Sequence, residues 1–184
     1  MRALPSLGFV EAIELSSSRI LDFKGRSRRS EFWWWILVVL VVGNIITMFF
    51  PNLMVSGIIA IIYMFFGLSA TARRLHDSGK SAIWVYISYA LGCIVQIYTA
   101  TSTTINKLVE ELSYGSSISQ RTFEKIMENG AGDLLTLSCL AIIASILHVI
   151  VIIMCLLDST PATNKYGDSP KYVLDSPQQT AEEQ

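Results

Sequence analysis

The chain has 184 residues, of which 52% are apolar and 16% charged, with a mean hydropathy of +0.47 and a net charge of −1. A soluble domain carries about a quarter charged residues, so these values exclude an ordinary soluble globular domain. The near-neutral balance also leaves no global positive field for nucleic acid.

Residues Met1 to Ser30 lack the apolar core of a cleaved signal peptide, so the first apolar run is expected to remain as an anchor. Within this segment, Leu7 to Phe23 places Phe9, Ile13 and Ile20 on one face of a short amphipathic helix in the headgroup plane. Its triple serine, Ser16 to Ser18, weakens that helix.

A bilayer core of about 30 Å takes about 20 apolar residues in a helix. Four stretches qualify: Trp33–Phe50, Leu53–Ala72, Ala82–Ala100 and Leu134–Leu157. No charged residue interrupts Phe32 to Ala72, but Pro51-Asn52 divides that run. Proline cannot donate a backbone hydrogen bond and Asn tolerates turn geometry, so the pair predicts a tight helical hairpin. A single helix of about 40 residues would be twice as long as the membrane is thick. The expected fold is therefore all-α, a polytopic membrane protein with four transmembrane helices in a compact bundle.

Orientation follows from the cationic residues. Arg2, Arg19, Lys24, Arg26, Arg28, Arg29, Arg73, Arg74, Lys80, Lys165 and Lys171 share one side, against Lys107, Arg121 and Lys125 on the other. This bias predicts that both termini and the loop from 73 to 81 are cytoplasmic. Trp33, Trp34, Trp35, Trp84 and Tyr86 open their spans at the same interface, where amphipathic rings prefer headgroup depth.

The outer loop Thr101–Asp133 is expected to be helical. Ile105, Leu108, Val109 and Leu112 follow an amphipathic spacing, and Tyr114-Gly115 breaks it. Ser117 with Gln120 resembles a capping box, Phe123, Ile126 and Met127 form an apolar stripe, and Asn129-Gly130 is expected to end that second helix. Pro177 to Gln184 has the composition of a disordered tail.

The candidates for chemistry gather at the cytoplasmic rim, in three segments expected to meet on one face. They are Arg26, Arg28, Arg29 and Glu31 before the first span, Arg73, Arg74, His76, Asp77 and Lys80 between the second and third, and Asp158, Asn164 and Tyr166 after the fourth. Gly79-Lys80-Ser81 looks like the end of a phosphate-binding loop, but Arg74 stands where that motif needs a glycine. His76-Asp77 lacks the further ligands of a metal site, and no nucleophile–base pair or catalytic carboxylate pair is legible. No metal or cofactor is assigned.

The rim's arginines suit lipid phosphate, and the same arginines also serve to set topology. Membrane lipids with anionic headgroups are thus expected partners, beside a second copy or another membrane protein. Glu31 or Asp158 is expected to pair with Arg73 or Arg74 across helices. Within the bilayer, His148 follows Ser138, Ala141 and Ser145 on a small-residue face, where a neutral imidazole is expected to hydrogen-bond across helices. Cys93, Cys139 and Cys155 lie in apolar stretches, carry no disulfide framework and are assigned no chemistry.

The segments from Phe23 to Trp34, from Ala72 to Ser81 and from Asn164 to Pro170 resemble the three signatures of a bacterial inner-membrane family called domain of unknown function 805. The resemblance spans roughly Gly8 to Pro170, with each signature at a span boundary. It implies a small multi-pass protein of the bacterial cytoplasmic membrane with no established activity, and it supplies no catalytic residues. The chain departs from the family pattern in its long segment Thr101–Asp133 and at Ala82-Ile83, where a further Gly or Trp is common. Of three functional readings, a non-catalytic scaffold or adaptor comes first. A transporter or channel component and an interfacial lipid-acting enzyme using His76 and Asp77 follow.

Overall fold

The computed structural model describes residues 1–113 and 120–173. Six helices run in the order α1 (Phe9–Ser18), α2 (Arg29–Met48), α3 (Leu53–Asp77), α4 (Ile83–Thr101), α5 (Thr103–Ser113) and α6 (Gln120–Leu156). Two short strands, β1 (Arg2–Ala3) and β2 (Tyr172–Val173), pair antiparallel and clasp the segment before α1 to the segment after α6.

Helices α2, α3, α4 and α6 are long and apolar enough to cross a membrane. Chain neighbours are also spatial neighbours: α3 packs on α2 and α4, α4 packs on α6, and α3 also touches α6. Most large apolar side chains on these helices face outward, among them Leu40, Ile45, Ile58, Phe65, Ile94 and Ile146. In water such a surface would drive aggregation; in lipid it needs no cover. The buried core sits toward one end, where Phe32, Trp35, Ala70, Leu75, Val85, Val151 and Cys155 meet.

The helix ends follow local chemistry. Asn52 caps α3, its Oδ1 accepting from the amides of Met54 at 3.0 Å and Val55 at 3.1 Å, so the Pro51-Asn52 hairpin forms with Asn as N-cap. Helix α3 continues five residues beyond the expected Ala72, because Arg73 to Asp77 are buried and helical. It ends where Gly79 adopts a φ of +75°. There the Lys80 amide donates back to the Leu75 carbonyl at 2.9 Å, a glycine-terminated helix end. The glycine that mimics a phosphate loop is a cap.

Helix α1 ends at the serines, two of which turn back on it: Ser17 and Ser18 donate to the carbonyls of Glu14 and Leu15. Its expected apolar face is split. Ile13 and Ile20 pack on the core, whereas Phe9 points outward and meets Trp34 edge-on at 5.3 Å. Trp35 likewise departs from the expected interfacial belt; it is buried, and its indole donates to the Phe66 carbonyl at 2.7 Å.

The largest correction concerns the outer segment. Helix α6 runs unbroken for 37 residues, through Asn129-Gly130. Asn129 donates its amide to the Lys125 carbonyl of its own helix instead of ending it. Gly130 is where α5 crosses: a Cβ there would lie 2.2 Å from the Thr104 methyl. The glycine therefore serves close packing, and helical hydrogen bonding continues past it. The expected break at Tyr114-Gly115, the Ser117 end of the capping box and the tail from Pro177 lie outside the described residues.

Candidate functional site: a closed polar rim

The three motif-bearing segments converge on one carboxylate. Asp77, at the last turn of α3, is 0% exposed. Its Oδ1 accepts from Arg26 Nε at 3.0 Å, and its Oδ2 accepts from Arg74 Nη1 and from the Ser159 hydroxyl. Two guanidiniums thus flank one carboxylate out of water. Such an arrangement holds only if the remaining donors find partners, and here they do.

Arg26 fastens the segment after α6 to α3. Its Nη1 donates to the Ala162 and Gly167 carbonyls at 3.0 and 3.2 Å, and its Nη2 to the Asp77 carbonyl and to Thr160. Arg74 caps α6 instead, donating Nε to the Cys155 carbonyl at 2.9 Å and Nη2 to the Leu157 carbonyl. A cation on these orphan carbonyls also opposes the negative end of the helix dipole. His76 faces Asn164, Tyr166 and Gly25: its Nδ1 lies 3.2 Å from the Gly25 carbonyl, so that nitrogen carries the proton, and its ring stacks on Tyr166 at 3.7 Å. Asn164 donates to the His76 carbonyl at 3.0 Å. Gly25, with a φ of +79°, supplies the turn that brings its carbonyl there.

The neighbouring half of the rim is looser. Arg73 Nη1 donates to the Arg19 carbonyl at 2.7 Å and to the Asp22 carbonyl, closing the turn that follows α1. Its Nη2 lies 3.6 Å from Glu31 Oε1, and Arg19 lies 3.8 Å from the same oxygen. Arg73 Nε, Arg73 Nη2 and Glu31 Oε1 have no hydrogen-bond partner among the described residues. Charge attraction draws Glu31 to Arg73 and Arg19, while the Arg73 hydrogen bonds in this half go to backbone carbonyls.

The expected cross-helix pair is therefore present for Glu31 with Arg73. It is absent for Asp158, which pairs with Arg29 at 3.4 Å and Lys171 at 2.7 Å, half-exposed at the edge. The hydrogen bond from Lys171 does most to hold the Asp158 carboxyl below the ordinary carboxylate range, and Arg29 assists; the same contact raises the Lys171 amine.

Burial separates the rim's arginines, all of which suit lipid phosphate by sequence, into inward and outward groups. Arg26, Arg73 and Arg74 are turned inward onto the protein's own carbonyls and carboxylates, and Glu31, His76 and Asp77 are buried with them. Arg29, Lys80 and Asp158 are exposed, and Arg28, Asn164 and Tyr166 are half-buried. His148 also departs from expectation. Its Nδ1 donates to the Ala144 carbonyl of its own helix at 2.8 Å, and the contact across helices is with the Tyr89 ring at 6.0 Å. Among the described residues, no three His, Cys, Asp or Glu side chains converge as metal ligands.

Sequence reasoning missed Ser159 and Thr160, whose signal was a polar pair directly after an apolar span. It also missed a second polar cluster at the opposite end of the bundle. There Asp133 accepts from the hydroxyls of Tyr98, Ser102 and Thr104 at 3.0, 3.2 and 3.1 Å, tying α4 and the start of α5 to α6.

Four apolar helices around a polar end define a multi-pass membrane protein. Residues 20–168 match the family described as Protein of unknown function (DUF805), and the chain belongs to that family. The matched region holds the three convergent segments, apart from Ser169 and Pro170. No curated protein and no solved structure matched the chain.

Proposed function

We propose that this protein is a non-catalytic scaffold or adaptor of the bacterial cytoplasmic membrane. Its rim and both terminal segments lie on the cytoplasmic side, and its outward basic residues meet anionic lipid headgroups or a protein partner. The observation that carries this reading is the closure of the rim. Asp77 is enclosed by Arg26, Arg74 and Ser159, and His76 is held between Gly25 and Tyr166. A catalytic pair needs access to a substrate and freedom to exchange protons; both groups are already engaged in joining helices. The excess of cationic residues on the rim side supports the cytoplasmic orientation, and the outward-facing Trp33, Trp34 and Trp84 support an interfacial depth for it.

Native purification followed by mass spectrometry of co-purifying lipids and proteins tests the scaffold reading. Stoichiometric anionic lipid or a recurring protein partner is expected. Lipid turnover by the purified protein, abolished by His76→Ala, would contradict it. Fluorescent-protein and alkaline-phosphatase fusions after Val173 test orientation, with fluorescence and no phosphatase activity expected.

A further inference from the structure

A small cleft opens at the edge of the rim between the start of α2, the segment before α1 and the segment after α6. It encloses about 150 Å3 and is lined by Leu4, Ser6, Arg28, Arg29, Ser30, Asp158 and Lys171. Three cations face one carboxylate, so the cleft carries a net positive charge.

The structure builds this cleft from distant parts of the chain. The Leu4 amide donates to the Lys171 carbonyl at 2.7 Å, which sets Lys171 beside α2 through the β1–β2 clasp. Arg28 is fixed by donating Nη1 to the Pro5 carbonyl at 2.7 Å. Ser30 accepts from the Leu7 amide at 3.0 Å, leaving its own hydroxyl proton available. Helix α2 begins here without a side-chain cap, so its dipole adds positive potential where the cations gather. Asp158 bridges Arg29 and Lys171, holding both toward the cleft.

The volume is below the range of about 300–1,000 Å3 typical of whole-ligand pockets, which suits a small group. Guanidinium forks, an ammonium and a hydroxyl donor together match phosphate oxygens. One turn further along α2, Trp33 and Trp34 face outward, the depth at which lipid phosphates lie.

We infer that this cleft binds a phosphate group, carried by an anionic lipid headgroup or as free phosphate. The inference rests on the proposed headgroup-facing rim and assigns it a specific site. Arg28, Arg29 and Lys171 hold the phosphate oxygens, and Asp158 tempers the affinity so that the group exchanges.

Native mass spectrometry of the purified, lipid-depleted full chain tests it, titrating phosphatidylglycerol, phosphatidylcholine and, separately, inorganic phosphate. Tighter binding of phosphatidylglycerol than of phosphatidylcholine is expected. R29Q/K171Q should weaken it about twenty-five-fold, at about fivefold per cation. Asp158→Asn should tighten it several-fold, a gain that damaged folding does not produce. Competition by inorganic phosphate without lipid preference, lost in R29Q/K171Q, assigns the cleft to a free anion. A phosphatidylglycerol preference unchanged in R29Q/K171Q overturns this site while leaving headgroup binding elsewhere on the rim intact. No preference for phosphatidylglycerol and no phosphate binding by the wild type overturns both this site and the headgroup part of the proposed function.

Discussion

The two ends of the bundle solve the same problem with different chemistry. At the rim, a buried carboxylate at Asp77 takes two guanidiniums and a serine hydroxyl, and three separated segments of the chain lock around it. At the other end, Asp133 takes three neutral hydroxyls from Tyr98, Ser102 and Thr104, which lie close together in sequence. Ionic partners out of water give strong, mutually dependent contacts, whereas hydroxyl partners give a local fastening. The rim is thus expected to set global stability and the Asp133 cluster to set only the docking of α5.

Substitutions at Asp77 should have the largest effect. Asp77→Ala leaves Arg26 and Arg74 as buried cations without a counterion, and removing one partner of such a group costs about 3–5 kcal/mol. The variant should fail to accumulate or should unfold in mild detergent, read by the melting temperature of the purified protein. If Asp77→Ala melts like the wild type, the rim is not the lock described.

Glu31→Gln should cost less. Its ion-pair oxygen lies 3.6 Å from Arg73 without a hydrogen bond, and Arg73 keeps the Arg19 and Asp22 carbonyls when the charge is lost. Its loss of melting temperature should fall clearly below that of Asp77→Ala. An equal loss would erase the distinction between the tight and loose halves of the rim.

Asp133→Ala should act locally. Hydrogen exchange is expected to rise in α5 and the neighbouring turn of α6 while the rim retains its protection. A fall in protection throughout the bundle would make the two ends equivalent.

The smallest effect belongs to Asp158 and Lys171, an exposed pair worth at most about 1 kcal/mol. Because the Asp158 carboxyl is held low, its contribution is present above the ordinary carboxylate value of about 3.9 and is lost as pH falls through the lowered value. The raised Lys171 amine contributes below its ordinary value of about 10.4, and that part fades as pH rises through the raised one. The distance between spin labels at positions 3 and 172 should therefore stay narrow from about pH 5 to pH 9 and broaden in acid. A width that changes most near neutral pH would point to some other group.

Much of the fold was legible because lipid imposes a simple rule: long apolar runs must be helices. The runs located all four spans, and Pro51-Asn52 marked the hairpin. What escaped were features set by packing. Gly130 reads as a stop, yet it accommodates Thr104 and the helix continues. Arg73 to Asp77 reads as a loop by charge, yet Arg74 pairs with Asp77 inside the segment and the distant Glu31 and Arg26 pair with Arg73 and Asp77, so it stays helical and buried. The rim's location was visible as three basic or polar segments at span boundaries. Which arginines point inward was not, because each is met by backbone carbonyls of distant segments whose position only the folded chain defines: Arg26 by Ala162 and Gly167, Arg73 by Arg19 and Asp22, Arg74 by Cys155 and Leu157. His148 was found, but its hydrogen bond to its own helix could not be distinguished from one across helices by spacing.

The central claim is that Arg26 and Asp77 join distant segments as one cooperative unit. A double-mutant cycle of Arg26→Ala and Asp77→Ala, read by reversible unfolding in mixed micelles, tests it most directly. The two single losses should far exceed additivity with the double variant, with a coupling of about 2 kcal/mol or more. Losses that add to within about 0.5 kcal/mol would mean that the two residues act independently, and the closed rim would not be what holds the three segments together.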